Sequence, residues 1–230
     1  MEQTVIRLLL AGRGGVGSEA NGLAALSCCP RTSSADGHRG DPDRRVAVVV
    51  RPNDHVSVAE VLFVVVSGPP ASGKSTLAPV LARDLGLPLV AKDTIKDALM
   101  SVLPVPDVET SRQIGRGAVV AMLAVAAGSP IGAVIESNFY RSVAIDELRR
   151  LPGRVVEVFC RCDQAIAQDR YAARAGTRHA GHFDGVRSGE ELWNSEVTAP
   201  VAGGWPVLEV NTDCSVDVAA VVTFIRSATD

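Results

Sequence analysis

The sequence predicts an α/β fold in which a parallel sheet is covered by helices on both faces. From Val58 onward, short runs rich in β-branched residues alternate with helical stretches, which is the pattern of this fold class. The buried run from Val61 to Ser67 leads into a glycine-rich loop and then into a helix. With 47% apolar and 21% charged residues among 230, the chain has an ordinary globular composition. We therefore predict one folded domain over residues 58–230.

The elements of this domain follow one another in a regular order. Predicted strands cover residues 61–67, 87–91, 131–136, 155–161 and 207–210. Predicted helices cover residues 74–85, 94–103, 108–127, 142–151, 164–174, 190–197 and 216–227. Glycines and prolines mark most helix ends, as at Gly86, Pro104 and Gly128. A polar segment rich in Gly, His and Arg connects the fifth of these helices to the sixth.

Residues 1–57 have a different composition. The stretch from Arg31 to Arg45 (RTSSADGHRGDPDRR) offers almost nothing to bury, which predicts a linker or a disordered extension. A second interpretation, a translated leader upstream of a start codon near Val56, Val58 or Val61, stays open. Four glycines between positions 12 and 17 superficially resemble a phosphate loop, but no Lys follows them and Glu19 places a carboxylate where an anion would bind.

Charge and hydropathy exclude several classes of protein. The formal net charge of −3 offers no general attraction for nucleic acid or for an anionic membrane. The longest apolar runs fall far below the roughly 20 residues of a membrane span, and we expect a cytoplasmic protein. The five cysteines form no disulfide framework, and Cys160 and Cys162 fit buried packing better than a metal site. The chain has 20 Arg but only three Lys, at positions 74, 92 and 96, which draws attention to that region.

One motif predicts a phosphate site. Residues 68–75, GPPASGKS, match G-x-x-x-x-G-K-[ST] between a Val-rich strand and a helix, which is the context of a phosphate loop (P-loop). Its glycines let successive backbone N–H groups face phosphate oxygens. Lys74 reaches the β- and γ-phosphates, and the Ser75 hydroxyl is suited to ligate Mg²⁺. We assign ATP and Mg²⁺ as cofactors, and nucleotide binding to Gly68, Pro69, Pro70, Ala71, Ser72, Gly73, Lys74, Ser75 and Thr76.

A carboxylate follows the second predicted strand. Asp93 lies in KDTIK, at the end of the strand where α/β sheets bind their ligands. A carboxylate at this place is suited to accept the proton of an attacking hydroxyl. The alternative is that Asp93 is only the N-cap of a helix starting at Thr94. Lys96, one helical turn from Asp93, faces the same space and is assigned to substrate binding.

Further polar residues follow the third and fourth strands. Glu136 ends the third strand, where it either holds Mg²⁺ or orients a nucleophile, or is simply an exposed strand end. Asn138 is assigned to substrate binding. Arg170, Arg174 and Arg178 recur every four residues, which predicts either a solvated helix face or arginines that close over a nucleotide. On the second interpretation Arg170 and Arg174 are catalytic and Arg178 contacts substrate. The nearby His179, His182 and Asp184 have a spacing that a zinc site would allow, but no further ligand cluster accompanies them.

These motifs resemble those of the small P-loop kinases related to chloramphenicol phosphotransferase, zeta toxin and the kinase domain of polynucleotide kinase, an AAA-type group of ATP-binding proteins. The likeness covers residues 58 to the C-terminus through GPPASGKST, KDTIKDAL, IESNF and CRCDQAIAQDRYAARA followed by RHAGH. It implies a three-layer P-loop NTPase fold, a parallel five-stranded sheet of order 2-3-1-4-5, an Arg-rich lid containing Arg170 and Arg174, and a base at Asp93. An Asp-based Walker B motif is not evident, which leaves Glu136 as the substitute.

The sequence therefore predicts an ATP- and Mg²⁺-dependent kinase that phosphorylates a hydroxyl of a small molecule, antibiotic-like or nucleoside-like. Two alternatives stay open, an ATP-hydrolysing switch and a polynucleotide 5′-hydroxyl kinase. The second is disfavoured by the acidic charge balance and by an aromatic content of 4%, which offers few platforms for base stacking.

Overall fold

The computed structural model describes residues 61–228, which build one parallel sheet between two layers of helices. The strands are β1 (Leu62–Ser67), β2 (Leu89–Ala91), β3 (Gly132–Glu136), β4 (Arg154–Arg161) and β5 (Val207–Asn211). The helices are α1 (Lys74–Leu85), α2 (Lys92–Met100), α3 (Val108–Ala127), α4 (Arg141–Leu148), α5 (Gln164–Arg174), α6 (Gly189–Leu192) and α7 (Val218–Ser227). The spatial order β2-β3-β1-β4-β5 and the three layers confirm the predicted fold class.

Strand β1 is the centre of the fold. It pairs in parallel with β3 on one side and with β4 on the other. Its side chains alternate, so that Val64 and Val66 pack with α1 and α7, while Phe63 and Val65 pack with α3 and α4. All four of these side chains are fully buried, as expected for a strand covered on both faces. The glycine-rich loop that follows β1 is therefore anchored to a fully buried strand.

One predicted helix start and the predicted helix face of Arg178 are wrong in a way that matters for the site. Helix α2 begins at Lys92 rather than Thr94, because the chain passes from β2 directly into the helix with Ala91 as N-cap. Helix α5 ends at Arg174, so that Arg178 lies beyond it in a segment with two short 3₁₀ turns. Arg178 therefore does not continue the helix face that carries Arg170 and Arg174.

A buried carboxylate on β4 ties the chain before β5 to the sheet. Glu157 is fully buried. It accepts hydrogen bonds from Ser67 Oγ at 2.6 Å, Val201 N at 2.8 Å, Ala202 N at 2.9 Å and Trp205 Nε1 at 3.0 Å. A buried charge is stable only when its acceptor sites are satisfied in this way. Sequence reasoning missed this residue, since a single Glu in a strand gives no signal.

The predictions for residues 1–57 lie outside the described residues. Within 61–228, no helix combines the length and apolar character that crossing a membrane requires. Cys160 is buried in the core between β1, α1 and α7, which confirms the packing role predicted for it.

Candidate active site

The loop between β1 and α1 has the backbone geometry of a phosphate cradle. Gly68, Ala71 and Gly73 have φ angles of 134°, 60° and 84°, in the region where L side chains are rare. A Cβ at Gly68 would lie 2.6 Å from the carbonyl oxygen of Cys160, so only glycine fits there. The loop closes on itself through a 3.3 Å hydrogen bond from Ser72 N to Pro69 O. Residues 70–76 line a cavity of about 560 Å³, called here the phosphate-loop cavity.

Lys74 is buried at the floor of this cavity. Its Nζ donates a 2.6 Å hydrogen bond to the carbonyl oxygen of Pro69. Burial lowers the pKa of the ammonium group, against the opposing influence of the nearby Glu136 carboxylate. A compact charge held within the loop is suited to contact phosphate oxygens. The hydroxyl of Ser72 is buried and has no hydrogen-bond partner in the described part of the chain, which also fits a site shaped for a ligand.

Glu136 and Ser75 lie together beside Lys74. Ser75 Oγ is 3.4 Å from Glu136 Oε1. Glu136 is only 7% exposed, so the interpretation as an exposed strand end is wrong. Burial raises the pKa of this carboxyl, and the Lys74 charge partly offsets the rise. Hydroxyl and carboxylate oxygens are the protein ligands that Mg²⁺ prefers, so these residues fit the predicted metal site.

Asp93 lies in the first turn of α2 and lines the same cavity. Its Oδ1 is 2.8 Å from Lys92 Nζ, and its Oδ2 is 2.7 Å from Arg178 Nη2. Burial by itself would raise the pKa of Asp93, but the charges of Lys92 and Arg178 outweigh burial and hold the pKa well below its usual range. The N-cap interpretation is wrong, because the side chain caps no backbone N–H. The carboxylate is thus ionised and faces the cavity.

The three predicted arginines all line the phosphate-loop cavity, each with different neighbours. The interpretation of these residues as a solvated helix face is therefore wrong. Arg170 donates to the carbonyl oxygen of Thr212 at 3.0 Å. Arg174 lies over the ring of Tyr171, with 5.2 Å between Cζ and the ring centroid, and its buried Nε has no hydrogen-bond partner in the described residues. Arg178 joins Asp93 to Asp184, whose oxygens lie 3.1 Å from Nη1. That this segment closes as an Arg-rich lid stays a prediction.

A second cavity of about 500 Å³ adjoins the first. The residues that line both cavities are Lys92, Lys96, Ser137, Asn138, His182 and Arg187. Lys96 and Asn138, predicted to bind substrate, therefore lie at the junction. His182 Nε2 is 2.6 Å from Asp97 Oδ1, and burial lowers the pKa of this imidazole, so it is neutral at pH 7. The ring nitrogens of His182 contact the side chains of Asp97 and Arg178, which hold the imidazole in place.

A chain of ion pairs lies along the lining of the second cavity. Arg112 on α3 is 3.0 Å from Glu191 on α6, and Glu191 is 2.8 Å from Arg187. Sequence reasoning missed these residues, because long-range pairs of surface charges leave no local pattern. It also passed over Lys92 as a site residue, although the rarity of Lys had already singled that position out. The aromatic pair Tyr171 and Trp193, which packs on Ala71 of the phosphate loop, gave no sequence signal either.

The domain is similar to known proteins in sequence and in fold. The family model described as an AAA domain matches residues 63–189. A crystal structure of a candidate kinase from Chloroflexus aurantiacus J-10-fl is 28% identical, with a TM-score of 0.65, covering 73% of this chain and 98% of that one. A gluconokinase from Sinorhizobium meliloti 1021 is 19% identical, with a TM-score of 0.47, covering 73% and 90% of the two chains. A search of curated proteins gave no match.

The chain belongs to this AAA domain family, since the model spans more than half of it and includes the phosphate loop. The resemblance to small P-loop kinases that the motifs predict is thereby confirmed at the level of family and fold.

Proposed function

We propose that this protein is an ATP- and Mg²⁺-dependent kinase that transfers the γ-phosphoryl group of ATP to a hydroxyl of a small molecule. The observation that carries the proposal is the position of Asp93. Its ionised carboxylate lines one cavity with Lys74 and the phosphate loop, and its 2.8 Å partner Lys92 also lines a second cavity large enough for an acceptor. A hydrolysing switch needs no such second cavity beside the carboxylate.

The phosphate-loop cavity matches the two ends of a nucleotide. Backbone N–H groups and Lys74 form the phosphate end, while Val80, Val216 and Val218 supply an apolar lining suited to a base. Ser75 and Glu136 would hold Mg²⁺, which when bound neutralises charge on the β- and γ-phosphates. Arg174, whose guanidinium has no carboxylate partner within 4 Å among residues 61–228, is available to bind the transferring group.

In the proposed step, the acceptor oxygen forms a bond with the γ-phosphorus while the bond from that phosphorus to the bridging oxygen breaks. ADP leaves with the bonding electrons, and the hydroxyl proton passes to Asp93. The low pKa makes Asp93 a weak base. Because phosphoryl transfer has a loose transition state, the hydroxyl keeps its proton until late, and Asp93 first orients the acceptor oxygen and then receives the proton.

The test is the Asp93→Asn variant, which keeps the size of the side chain and removes the proton acceptor. ADP release is first measured against a panel of hydroxylated small molecules, beginning with antibiotic-like and nucleoside-like acceptors. With an active acceptor, we expect ATP affinity to survive in Asp93→Asn and transfer to fall by roughly 10²- to 10⁴-fold.

Asp146→Asn is the matched control, because Asp146 is highly exposed on α4 and lines neither cavity. Release of ADP that is independent of every acceptor, and equal in both variants, would favour the ATP-hydrolysing switch instead.

A further inference from the structure

The second cavity is unusually apolar for a site that borders so many charges. Helix α3 contributes Val119 and Val120, the segment before α4 contributes Phe139 and Tyr140, and α4 contributes Val143. Val120 and Val143 are 63% and 60% exposed, although each lines the cavity. Apolar side chains gathered around a concave surface indicate a ligand that covers them.

This apolar wall is continuous with the reacting centre. Lys92, the direct partner of Asp93, and Asn138, after β3, line both cavities. The wall therefore adjoins the part of the first cavity that holds Asp93. The direction of a molecule seated on the wall is fixed, with its apolar part toward α3 and α4 and its reacting oxygen toward the phosphate loop.

Lys96 supplies a polar contact at this junction. Its side chain is buried, and its Nζ donates a 2.8 Å hydrogen bond to Ser111 Oγ. No carboxylate lies within 4 Å of it among residues 61–228. An ammonium group has three N–H donors, so a buried one with a single neutral acceptor calls for an electron-rich oxygen from a ligand.

We propose that the second cavity binds the acceptor, and that the acceptor is a hydroxy compound with an apolar body the size of a phenyl ring and a carboxylate or carbonyl oxygen next to the reacting hydroxyl. The apolar body packs on Val119, Val120 and Val143, and the oxygen accepts from Lys96. The proposal rests on the kinase function proposed above and narrows its acceptor class.

The chemistry of the wall separates this class from polyols. A sugar acid carries a hydroxyl on nearly every carbon, and each hydroxyl loses its water on binding. Valine and phenylalanine side chains form no hydrogen bonds to replace those that the hydroxyls made with water. A bound polyol would therefore have unsatisfied donors and acceptors. An aromatic hydroxy acid presents polar atoms only at the end that meets Asp93 and Lys96.

A matched pair of probes tests the proposal on the full chain with Mg²⁺ and ADP present. 3-Phenyllactate and lactate share the same hydroxy acid and differ only by a phenyl group, and gluconate represents the polyols. We expect isothermal titration calorimetry to show 3-phenyllactate binding at least about tenfold tighter than either of the others. Equal or tighter binding of lactate or gluconate would overturn the proposal.

Two variants on one helix locate the binding surface. Val120→Asn should reduce the preference for 3-phenyllactate over lactate to within about threefold. Val125→Asn is the matched control, because Val125 is 59% exposed on the same helix but lines neither cavity, and the preference should persist. Loss of the preference in both variants, or in neither, would contradict the assignment.

Further measurements distinguish a failure of the proposed acceptor class from a failure of the proposed kinase function. If 3-phenyllactate binds as expected but no acceptor is ever phosphorylated, the site assignment stands and the kinase proposal fails. If polyols alone are phosphorylated, the kinase proposal stands and the acceptor class fails. Sedimentation of the parent chain and of Val120→Asn should give the same mass; a dimer that Val120→Asn converts to monomer would assign the wall to a second copy and overturn the proposal.

Discussion

The guanidinium of Arg178 contacts the carboxylate of Asp93 with 2.7 Å between Nη2 and Oδ2, although the two residues are 85 positions apart in the sequence. The same guanidinium contacts both oxygens of Asp184. Asp93 is consequently held from both sides, by Lys92 from its own helix and by Arg178 from the segment after α5. Two acidic partners restrain Arg178 in turn, so the position of Asp93 depends on where that segment lies.

Replacing Arg178 should alter the pH dependence of phosphoryl transfer. The Arg178 charge is one of the influences that lower the pKa of Asp93, so Arg178→Gln raises that pKa toward its ordinary value. In the proposed mechanism, transfer requires the ionised carboxylate, and activity is lost as pH falls through this pKa. In Arg178→Gln the loss should therefore begin at a higher pH, as seen in kcat/KM against pH. Arg178→Lys keeps the charge and should stay nearer the parent profile; coincident profiles for all three proteins would contradict the coupling.

Removing the charge of Lys74 should abolish most nucleotide affinity. Lys74→Ala deletes the buried ammonium group at the cavity floor and leaves the loop backbone in place. Because hydrogen bonds to charged groups contribute about 1.5–3 kcal/mol, we expect ATP to bind roughly 10- to 100-fold more weakly by calorimetry. Circular dichroism checks that the fold is retained. Unchanged ATP affinity in a folded variant would remove the nucleotide site from this loop.

Lys96 should make stability depend on alkaline pH. Burial lowers the pKa of Lys96 from 10.5 to about 8, with the charge of Lys92 adding to the effect. Between about pH 8 and 10.5 the unfolded chain therefore binds more protons at this site than the folded chain, and the free energy of unfolding rises with pH by up to about 3 kcal/mol. Lys96→Met, which has no proton to lose, should lack this rise in urea titrations at stepped pH. An equal slope in both proteins would show that other groups cause it.

Glu157→Gln should lower the free energy of unfolding, although Glu157 lines neither cavity. Ser67 Oγ is able to accept as well as donate, but each oxygen of Glu157 also receives at least one N–H, so the new amide N–H₂ meets an N–H donor in either orientation. We expect a loss of roughly 1–3 kcal/mol in the free energy of unfolding. The exposed Glu209→Gln on β5 is the comparison and should change stability by less than about 0.5 kcal/mol. Equal effects of the two substitutions would mean that the buried network contributes little.

A chain that starts at Val58 should retain the thermal midpoint and the activity of the full chain. Residues 31–45 cannot bury enough apolar surface to offset the entropy of ordering them. Differential scanning calorimetry and acceptor-dependent ADP release compare the two proteins. A large fall in either quantity would show that the N-terminal residues pack on the domain.

Local patterns in the sequence predicted the fold and the phosphate end of the site. The strand, the loop 68–75 and the helix after it are contiguous, so their chemistry is visible in one stretch of residues. Three lysines in a chain otherwise rich in arginine also pointed correctly to this cavity. The start of α2 was missed by two residues, because a strand that passes straight into a helix gives no turn signal, and this error produced the mistaken N-cap interpretation of Asp93.

The second cavity, where we propose that the acceptor binds, was not predictable in the same way. The apolar wall combines residues of α3 with residues near α4, and Arg178 meets Asp93 only through the tertiary fold. Helical periodicity marks the valines of α3 as apolar, but it does not distinguish a core contact from a cavity wall. Such arrangements arise from packing between distant segments, which one sequence does not record.

The ion pairs from Arg112 through Glu191 to Arg187 lie along the lining of the second cavity, and they join α3 to α6. Pairs between partly exposed charges contribute little to stability and weaken as salt rises. Separating these pairs is therefore less costly than exposing the apolar core on either face of the sheet. We expect raised ionic strength to loosen this side of the second cavity while the core stays intact.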